Sequence, residues 1–140
     1  MKTLTDGLAV ASQINPADVA GIAAAGYRAI ICNRPDGEAA DQPSFAKIAE
    51  AAAAVGIACH NLPIVPGQLS DADAETFGKL LEELPAPVLA FCRTGTRSTT
   101  LWCLAKAGSA PTVEILGTAA SAGYDLSALT GRIEALAAQR

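Results

Sequence analysis

Short apolar runs alternate with longer segments of helical periodicity along this 140-residue chain. Four runs have the length and flanking turn residues of buried strands, and they read "LAVASQI", "YRAIIC", "IACHNLPI" and "VLAFC". The first helix is predicted between Asn15, a capping residue followed by Pro16, and Gly26, which stops it. The second runs from about Pro43 to Val55, with a glycine again directly after it.

The second half of the chain continues this alternation. Ser70 and Asp73 stand at capping-box spacing and begin a third helix with one apolar face. A fourth helix is predicted from Ser98 to Ala107, and two more helical stretches occupy 111–122 and 126–139. We therefore expect an α/β fold of three layers, in which helices flank a mainly parallel sheet of four to five strands.

In such a sheet the ligand lies beyond the carboxyl ends of the strands. Three loops follow predicted strands and should converge there, namely "NRPDGE", "PIVPGQ" and "CRTGTR". The sequence thus predicts one crevice, with a cysteine at its floor.

Composition narrows the class of protein. The chain is 51% hydrophobic, which is enough for one core, so we expect residues 1–140 to form a single domain. A net charge of −4 without basic runs argues against nucleic-acid or anionic-membrane partners.

The start "MKTLTDGLAV" lacks the apolar core of a secretion signal, which favours a cytoplasmic location. Four widely spaced cysteines without a CxxC pair favour neither disulfides nor zinc, and no metal or organic cofactor is implied.

The stretch "VLAFCRTGTRSTTLW" carries the chemistry. A loop that leaves a buried strand and enters a helix directs backbone N–H groups and the positive end of the helix dipole toward an anion. Gly95 permits the positive φ of such a loop, and Arg97 adds a fork of donors for an oxyanion. The same field favours the thiolate of Cys92 and makes it a nucleophile. The alternative is a core cysteine beside two solvated arginines.

Four motifs, "CRTGTRS", "NRPDGE", "PIVPGQ" and "AGYDLSAL", closely resemble the bacterial phosphatase-like domain family of beta-lactamase-hydrolase-like proteins. The resemblance covers nearly the whole chain. It implies a fold like that of the dual-specificity and tyrosine phosphatases, with Cys92 as nucleophile and Arg97 as oxyanion holder. Both phosphatase and sulfur-transferase activities are assigned to that family, so the resemblance leaves the reaction open.

Local features favour sulfur transfer. Four residues separate Cys92 from Arg97, as in single-domain rhodaneses, whereas tyrosine phosphatases typically have five. Phe91 stands where phosphatases usually carry histidine, and "PIVPGQ" contains no carboxylate to act as general acid. We therefore expect a rhodanese-type sulfurtransferase that moves sulfane sulfur from thiosulfate or a persulfide to a thiol through a Cys92 persulfide.

Two alternatives remain open. A phosphate-monoester hydrolase would form a cysteinyl-phosphate, with Asp36 or water in place of the usual acid, although Asp-Gly after proline is also a turn sequence. A non-catalytic oxyanion-binding module is the third possibility. The expected partners are a small oxyanion or persulfide substrate and a thiol acceptor, and a separate sulfur-oxidising enzyme is left open.

The remaining candidates have weaker signals. Arg34 is expected at the crevice rim as a second anion contact. Cys32 has two interpretations, a thiol that receives sulfur from Cys92 or a buried packing residue, and packing is favoured. Packing is also expected of Cys59, Cys103, His60, Trp102 and Tyr124. The residues predicted to bind substrate from the cysteine loop are Arg93, Thr94, Gly95, Thr96 and Ser98.

Overall fold

A five-stranded sheet forms the centre of the protein in the computed structural model, which describes all residues from Met1 to Arg140. The strand order is β1-β2-β5-β3-β4, and every neighbouring pair is parallel except β1 with β2. This confirms the predicted α/β class and the mainly parallel sheet. The strands are β1 (Lys2–Thr5), β2 (Leu8–Ala11), β3 (Ala29–Cys32), β4 (Ala58–Asn61) and β5 (Val88–Phe91).

The helices follow the predicted capping signals with small shifts. Before the first helix, Pro16–Asp18 form a 3₁₀ turn, so the regular helix is shorter than expected. The fourth helix begins two residues earlier than expected because Gly95, in the left-handed region, is its N-cap. The helices are α1 (Val19–Ala24), α2 (Phe45–Ala54), α3 (Asp71–Glu83), α4 (Thr96–Lys106), α5 (Thr112–Ser121) and α6 (Thr130–Gln139).

Strand β1 is not among the predicted strands. It pairs antiparallel with β2 through a tight turn, and only its Leu4 is buried. An edge strand with one buried side chain has no apolar run to reveal it, since most of its positions face solvent.

Both faces of the sheet are covered. Every residue of β2, β3 and β5 is buried, which explains why these strands appear in the sequence as continuous apolar runs. One core contains side chains from α3, α4, α5 and α6, and the other contains side chains from α1 and α2. No helix has the length and apolar content that a membrane crossing requires.

The carboxyl ends of β3 and β5 lie side by side. Cys32 and Phe91 are paired in register, and the Asn33 N–H donates to the Phe91 carbonyl at 2.8 Å. The loops that follow these two strands therefore leave the sheet next to one another, as the sequence predicted.

Candidate active site

Cys92 lies directly after β5, at the base of the loop that leads into α4. Its side chain is buried, with the residue 1% exposed, and its Sγ accepts a hydrogen bond from the Gly95 N–H at 3.1 Å. Gly95 has φ +91°, a conformation that favours glycine and turns the chain around the sulfur. The N–H groups of Thr94, Thr96 and Arg97 have no acceptor within the protein. The loop thus offers free backbone donors to an anion beside the thiol.

Arg97 is held by Glu38, a residue for which the sequence pattern predicts no role. Its Nη1 donates to Glu38 Oε2 at 2.8 Å, and its Nη2 donates to Glu38 Oε1 at 2.9 Å. Nη1 also donates to the Ile64 carbonyl at 2.9 Å, and Arg34 Nε donates to Glu38 Oε1 at 2.9 Å. One carboxylate therefore bridges two guanidinium groups, and it occupies the fork of Arg97 that the sequence analysis assigned to an oxyanion.

The ion pair between Glu38 and Arg97 shifts the pKa of both residues. The hydrogen bond from Arg97 is the main reason that the pKa of Glu38 is lowered, and a hydrogen bond from Arg34 adds to it against the opposing effect of burial. Conversely, Glu38 is the main cause of the raised pKa of Arg97, with a further contribution from the nearby Cys92. Glu38 is thus a carboxylate at neutral pH while Arg97 holds it.

A cavity of about 410 Å³ opens over this pair. Three guanidinium groups face one carboxylate in its lining, so its net charge favours an anionic ligand. Arg34 is only 6% exposed and also donates to Gln13 Oε1 at 3.1 Å, which fixes its position in the lining, and its contact with an anion remains a prediction. The lining residues are Arg34, Glu38, Ala39, Pro66, Arg93 and Arg97.

Ser98 lies beneath the loop and does not reach the cavity. It is fully buried, and its hydroxyl donates to Asn33 Oδ1 at 2.8 Å, while Asn33 Nδ2 donates to the Leu62 carbonyl at 3.0 Å. These bonds join the first turn of α4 to the ends of β3 and β4. The substrate contact of Ser98 remains a prediction, and the structure shows that its hydroxyl is committed to Asn33.

Three other predicted loop residues are exposed. Arg93 and Thr94 lie between β5 and α4, Thr96 is the first residue of α4, and the two threonine hydroxyls are 3.1 Å apart. The Gly95 carbonyl accepts from Thr99 Oγ1 at 2.8 Å. Their contact with a substrate remains a prediction.

Asp36, the predicted acid, lies away from the cavity lining. Its Oδ1 accepts from the Phe45 N–H at 2.8 Å and so caps the start of α2. Its catalytic role stays a prediction that no contact supports. The carboxylate that does line the cavity is Glu38, two residues further along the same motif and four after Arg34.

The other three cysteines have surroundings unlike a reactive thiol. Burial is the main cause that raises the pKa of Cys32, Cys59 and Cys103 to about 11 in each case. The Cys32 thiol donates to the Arg34 carbonyl at 3.4 Å, which fits its interpretation as a packing residue. His60 is exposed on β4, at the edge of the sheet, rather than packed.

These shifts predict selective alkylation. At pH 6 to 7 the three thiols with a pKa of about 11 are protonated, whereas Cys92 receives a backbone hydrogen bond and lies near Arg97. Iodoacetamide should therefore add one alkyl group, on Cys92, as measured by peptide mass mapping. Labelling of Cys32 or Cys59 at an equal rate would show that the loop does not activate its thiol, as expected of a non-catalytic binding module.

The fold is that of a phosphatase-like α/β domain, in which a cysteine directly follows the central parallel strand β5 and an arginine lies in the first turn of the next helix. The chain belongs to the family described as "Beta-lactamase hydrolase-like protein, phosphatase-like domain", whose sequence model matches residues 1–109. This confirms the resemblance seen in the sequence motifs.

Known proteins support both the family and the fold. A beta-lactamase hydrolase-like protein of Agrobacterium fabrum is 33% identical over 133 residues, which is 94% of this chain and 31% of that protein. The chain thus spans about a third of the curated relatives' length. The crystal structure of a proposed phosphatase from Neisseria meningitidis (nma1982) is 36% identical, covers 96% of both chains and has a TM-score of 0.87. Tk-PTP in its active form has the same fold, with 17% identity, coverage of 99% of this chain and 96% of its own, and a TM-score of 0.76.

Proposed function

We propose that this domain hydrolyses phosphate monoesters through a cysteinyl-phosphate on Cys92. The observation that carries the proposal is the carboxylate of Glu38 in the cavity, hydrogen-bonded to Arg97. A phosphatase needs a nucleophile, an oxyanion holder and a proton donor. Cys92, Arg97 and Glu38 supply one candidate for each, and the phosphatase-like family supports the same choice over sulfur transfer.

The first half of the reaction transfers the phosphoryl group to sulfur. The Cys92 thiolate attacks phosphorus, the sulfur–phosphorus bond forms, and the bond from phosphorus to the ester oxygen breaks. The free N–H groups of Thr94, Thr96 and Arg97, with the Arg97 fork, stabilise the charge on the phosphoryl oxygens. Water then cleaves the sulfur–phosphorus bond, which releases inorganic phosphate and restores the thiolate.

Glu38 connects substrate binding to proton transfer. In the free site, both carboxylate oxygens of Glu38 accept hydrogen bonds from Arg97. An incoming anion must therefore displace Glu38 before it can bind the Arg97 guanidinium. Once Arg97 is lost, Glu38 keeps only its hydrogen bond from Arg34, and the main cause of its lowered pKa is gone. We propose that the released carboxylate takes up a proton from solvent, gives it to the leaving oxygen and then, again as a carboxylate, takes a proton from the attacking water.

The substitution Glu38→Gln tests both roles at once. An amide competes more weakly for Arg97, so inorganic phosphate should inhibit at about tenfold lower concentration, the effect of one charge-assisted hydrogen bond. The amide cannot donate a proton to an alkoxide, so kcat for an alkyl phosphate should fall by ~10²-fold. An aryl phosphate whose phenolate leaves without a proton should be affected much less. Steady-state kinetics with both esters and phosphate as inhibitor measure these effects.

The matched control is Glu50→Gln on α2, because Glu50 is exposed and has no ion pair. It should leave both esters and phosphate inhibition unchanged. Equal losses with alkyl and aryl esters in Glu38→Gln would remove Glu38 from proton transfer. Unchanged phosphate inhibition would show that it does not compete for Arg97.

Sulfur transfer through a Cys92 persulfide is the second candidate. One observation favours it, the four-residue spacing between Cys92 and Arg97, which makes a smaller loop than five residues would. Sulfite leaves thiosulfate as a stable anion and needs no general acid, so this reaction does not require Glu38. Thiosulfate as sole substrate separates the two candidates, because only sulfur transfer leaves an extra sulfur atom on Cys92.

A further inference from the structure

Tyr124 reaches the cysteine loop from the far end of the chain. It follows α5, beyond the residues 1–109 that the family model matches, and its backbone N–H is anchored to the Ala119 carbonyl at 2.9 Å. Its hydroxyl donates to the Thr94 carbonyl at 3.0 Å. From the sequence, only core packing is predicted for this residue. The hydroxyl instead contacts the backbone between Cys92 and Arg97.

The Thr94 carbonyl, which accepts this hydrogen bond, belongs to the same peptide whose N–H donates to Cys92 Sγ. The Thr94 carbonyl and the Gly95 N–H share one planar trans peptide bond, so they point in opposite directions. The carbonyl accepts from Tyr124 on one side, and the N–H donates to Cys92 Sγ at 3.1 Å on the other. A hydrogen bond on a carbonyl also polarises the N–H of its own peptide and strengthens it as a donor.

The loop is also packed tightly at this peptide. A Cβ built on Gly95 would overlap the Tyr124 hydroxyl and lie 3.3 Å from the Ala11 carbonyl oxygen. The backbone is therefore enclosed between the Tyr124 side chain and the end of β2. Burial, and then the charge of Cys92, raises the pKa of Tyr124, so its hydroxyl keeps the proton that it donates.

We propose that Tyr124 is a positioning residue that fixes the Thr94–Gly95 peptide with its N–H directed at the sulfur of Cys92 and so favours the thiolate. It acts through the peptide and touches neither substrate nor reacting atoms. The proposal does not depend on whether Cys92 receives a phosphoryl group or a sulfur atom, because both reactions begin with the thiolate.

The test is the rate of Cys92 alkylation by iodoacetamide in Tyr124→Phe, measured by mass spectrometry from pH 6 to strongly alkaline pH. Phenylalanine keeps the ring and removes only the hydroxyl. At pH 6 we expect alkylation about five- to tenfold slower than in the wild type, the effect of one weakened hydrogen bond. At a pH that ionises the thiol in both proteins, the two rates should converge. Arg97 and Cys32, the other titratable groups close to Cys92, are unchanged in this comparison.

Tyr27→Phe is the matched control, because Tyr27 is a half-buried tyrosine in the core formed with α1 and α2, and its hydroxyl has no hydrogen bond. It should alkylate like the wild type at every pH. Equal rates for Tyr124→Phe and wild type at pH 6 would overturn the proposal. A rate that is lower by the same factor at every pH would also overturn it, because that result indicates a collapsed or blocked loop rather than a smaller thiolate population.

Discussion

Replacing Cys92 with serine should lower kcat/KM for an aryl phosphate by ~10³-fold or more, about 4 kcal/mol of transition-state stabilisation. Serine has nearly the same shape and can still accept the Gly95 N–H. Its hydroxyl, however, is far too weak an acid to ionise beside Arg97, so the nucleophile is lost while the loop is retained. Steady-state hydrolysis of p-nitrophenyl phosphate measures the effect.

Two control measurements show whether the loss of activity is due to the missing nucleophile alone. The Tm and the affinity for inorganic phosphate should stay close to the wild type, since the donors of the loop are intact. Cys59→Ser, on the edge strand β4, should leave activity unchanged because that thiol lies outside the cavity lining. If Cys92→Ser kept more than about a tenth of the activity, Cys92 would not be the nucleophile.

The substitution Arg97→Lys should lower kcat/KM by ~10²-fold or more, near 3 kcal/mol. Lysine keeps the charge and loses the planar fork, which in this structure binds the two oxygens of Glu38 and would bind two oxygens of a phosphoryl group. The bond to the Ile64 carbonyl, which anchors the guanidinium to the loop after β4, is weakened as well. Kinetics and phosphate inhibition together separate lost catalysis from lost binding.

Arg28→Lys is the matched control. Arg28 is exposed outside the cavity lining and makes no hydrogen bond to another residue through its guanidinium, so its replacement should change kcat/KM by less than about threefold, within about 1 kcal/mol. Equal losses at both positions would mean that the effect of Arg97→Lys is not specific to the fork of Arg97. Unchanged kinetics in Arg97→Lys would reduce Arg97 to a partner of Glu38.

Most of the fold follows from local signals. The capping pair Ser70 and Asp73 forms as predicted, with the Asp73 N–H donating to Ser70 Oγ at 3.0 Å and the Ser70 N–H donating to Asp73 Oδ2 at 2.9 Å. The central strands are buried on both faces, and this is why short apolar runs identify them. Strand β1 cannot be found in this way, because its pairing with β2 rather than its own burial stabilises it.

The candidate site, like the fold, could be predicted only where local sequence signals indicate it. Cys92, Gly95 and Arg97 lie within six consecutive residues, so their spacing in the sequence is enough to indicate the loop. The roles of Glu38 and Tyr124 depend on contacts across 59 and 30 residues, which no local pattern encodes. Ser98 shows a different limit. Its position in the sequence places it at the loop, but no local pattern reveals that its side chain is buried against Asn33.

Glu38 also changes the choice between the two reactions. The preference for sulfur transfer depended partly on the lack of a carboxylate in "PIVPGQ", where an acid would be expected. The cavity takes its carboxylate from the loop after β3 instead, because the loops after β3, β4 and β5 meet above the sheet. The lack of an acid in one loop therefore no longer argues against phosphate hydrolysis.

The most direct measurement is the mass of the group that Cys92 carries during turnover. The protein is mixed with p-nitrophenyl phosphate or with thiosulfate, quenched in acid within the first turnovers and mapped by peptide mass spectrometry, with Cys92→Ser as control. We expect a phosphoryl group on the Cys92 peptide with the ester and none in the control. A Cys92 peptide that never gains a phosphoryl group with the ester, but gains one sulfur atom with thiosulfate, would contradict phosphate hydrolysis and establish sulfur transfer.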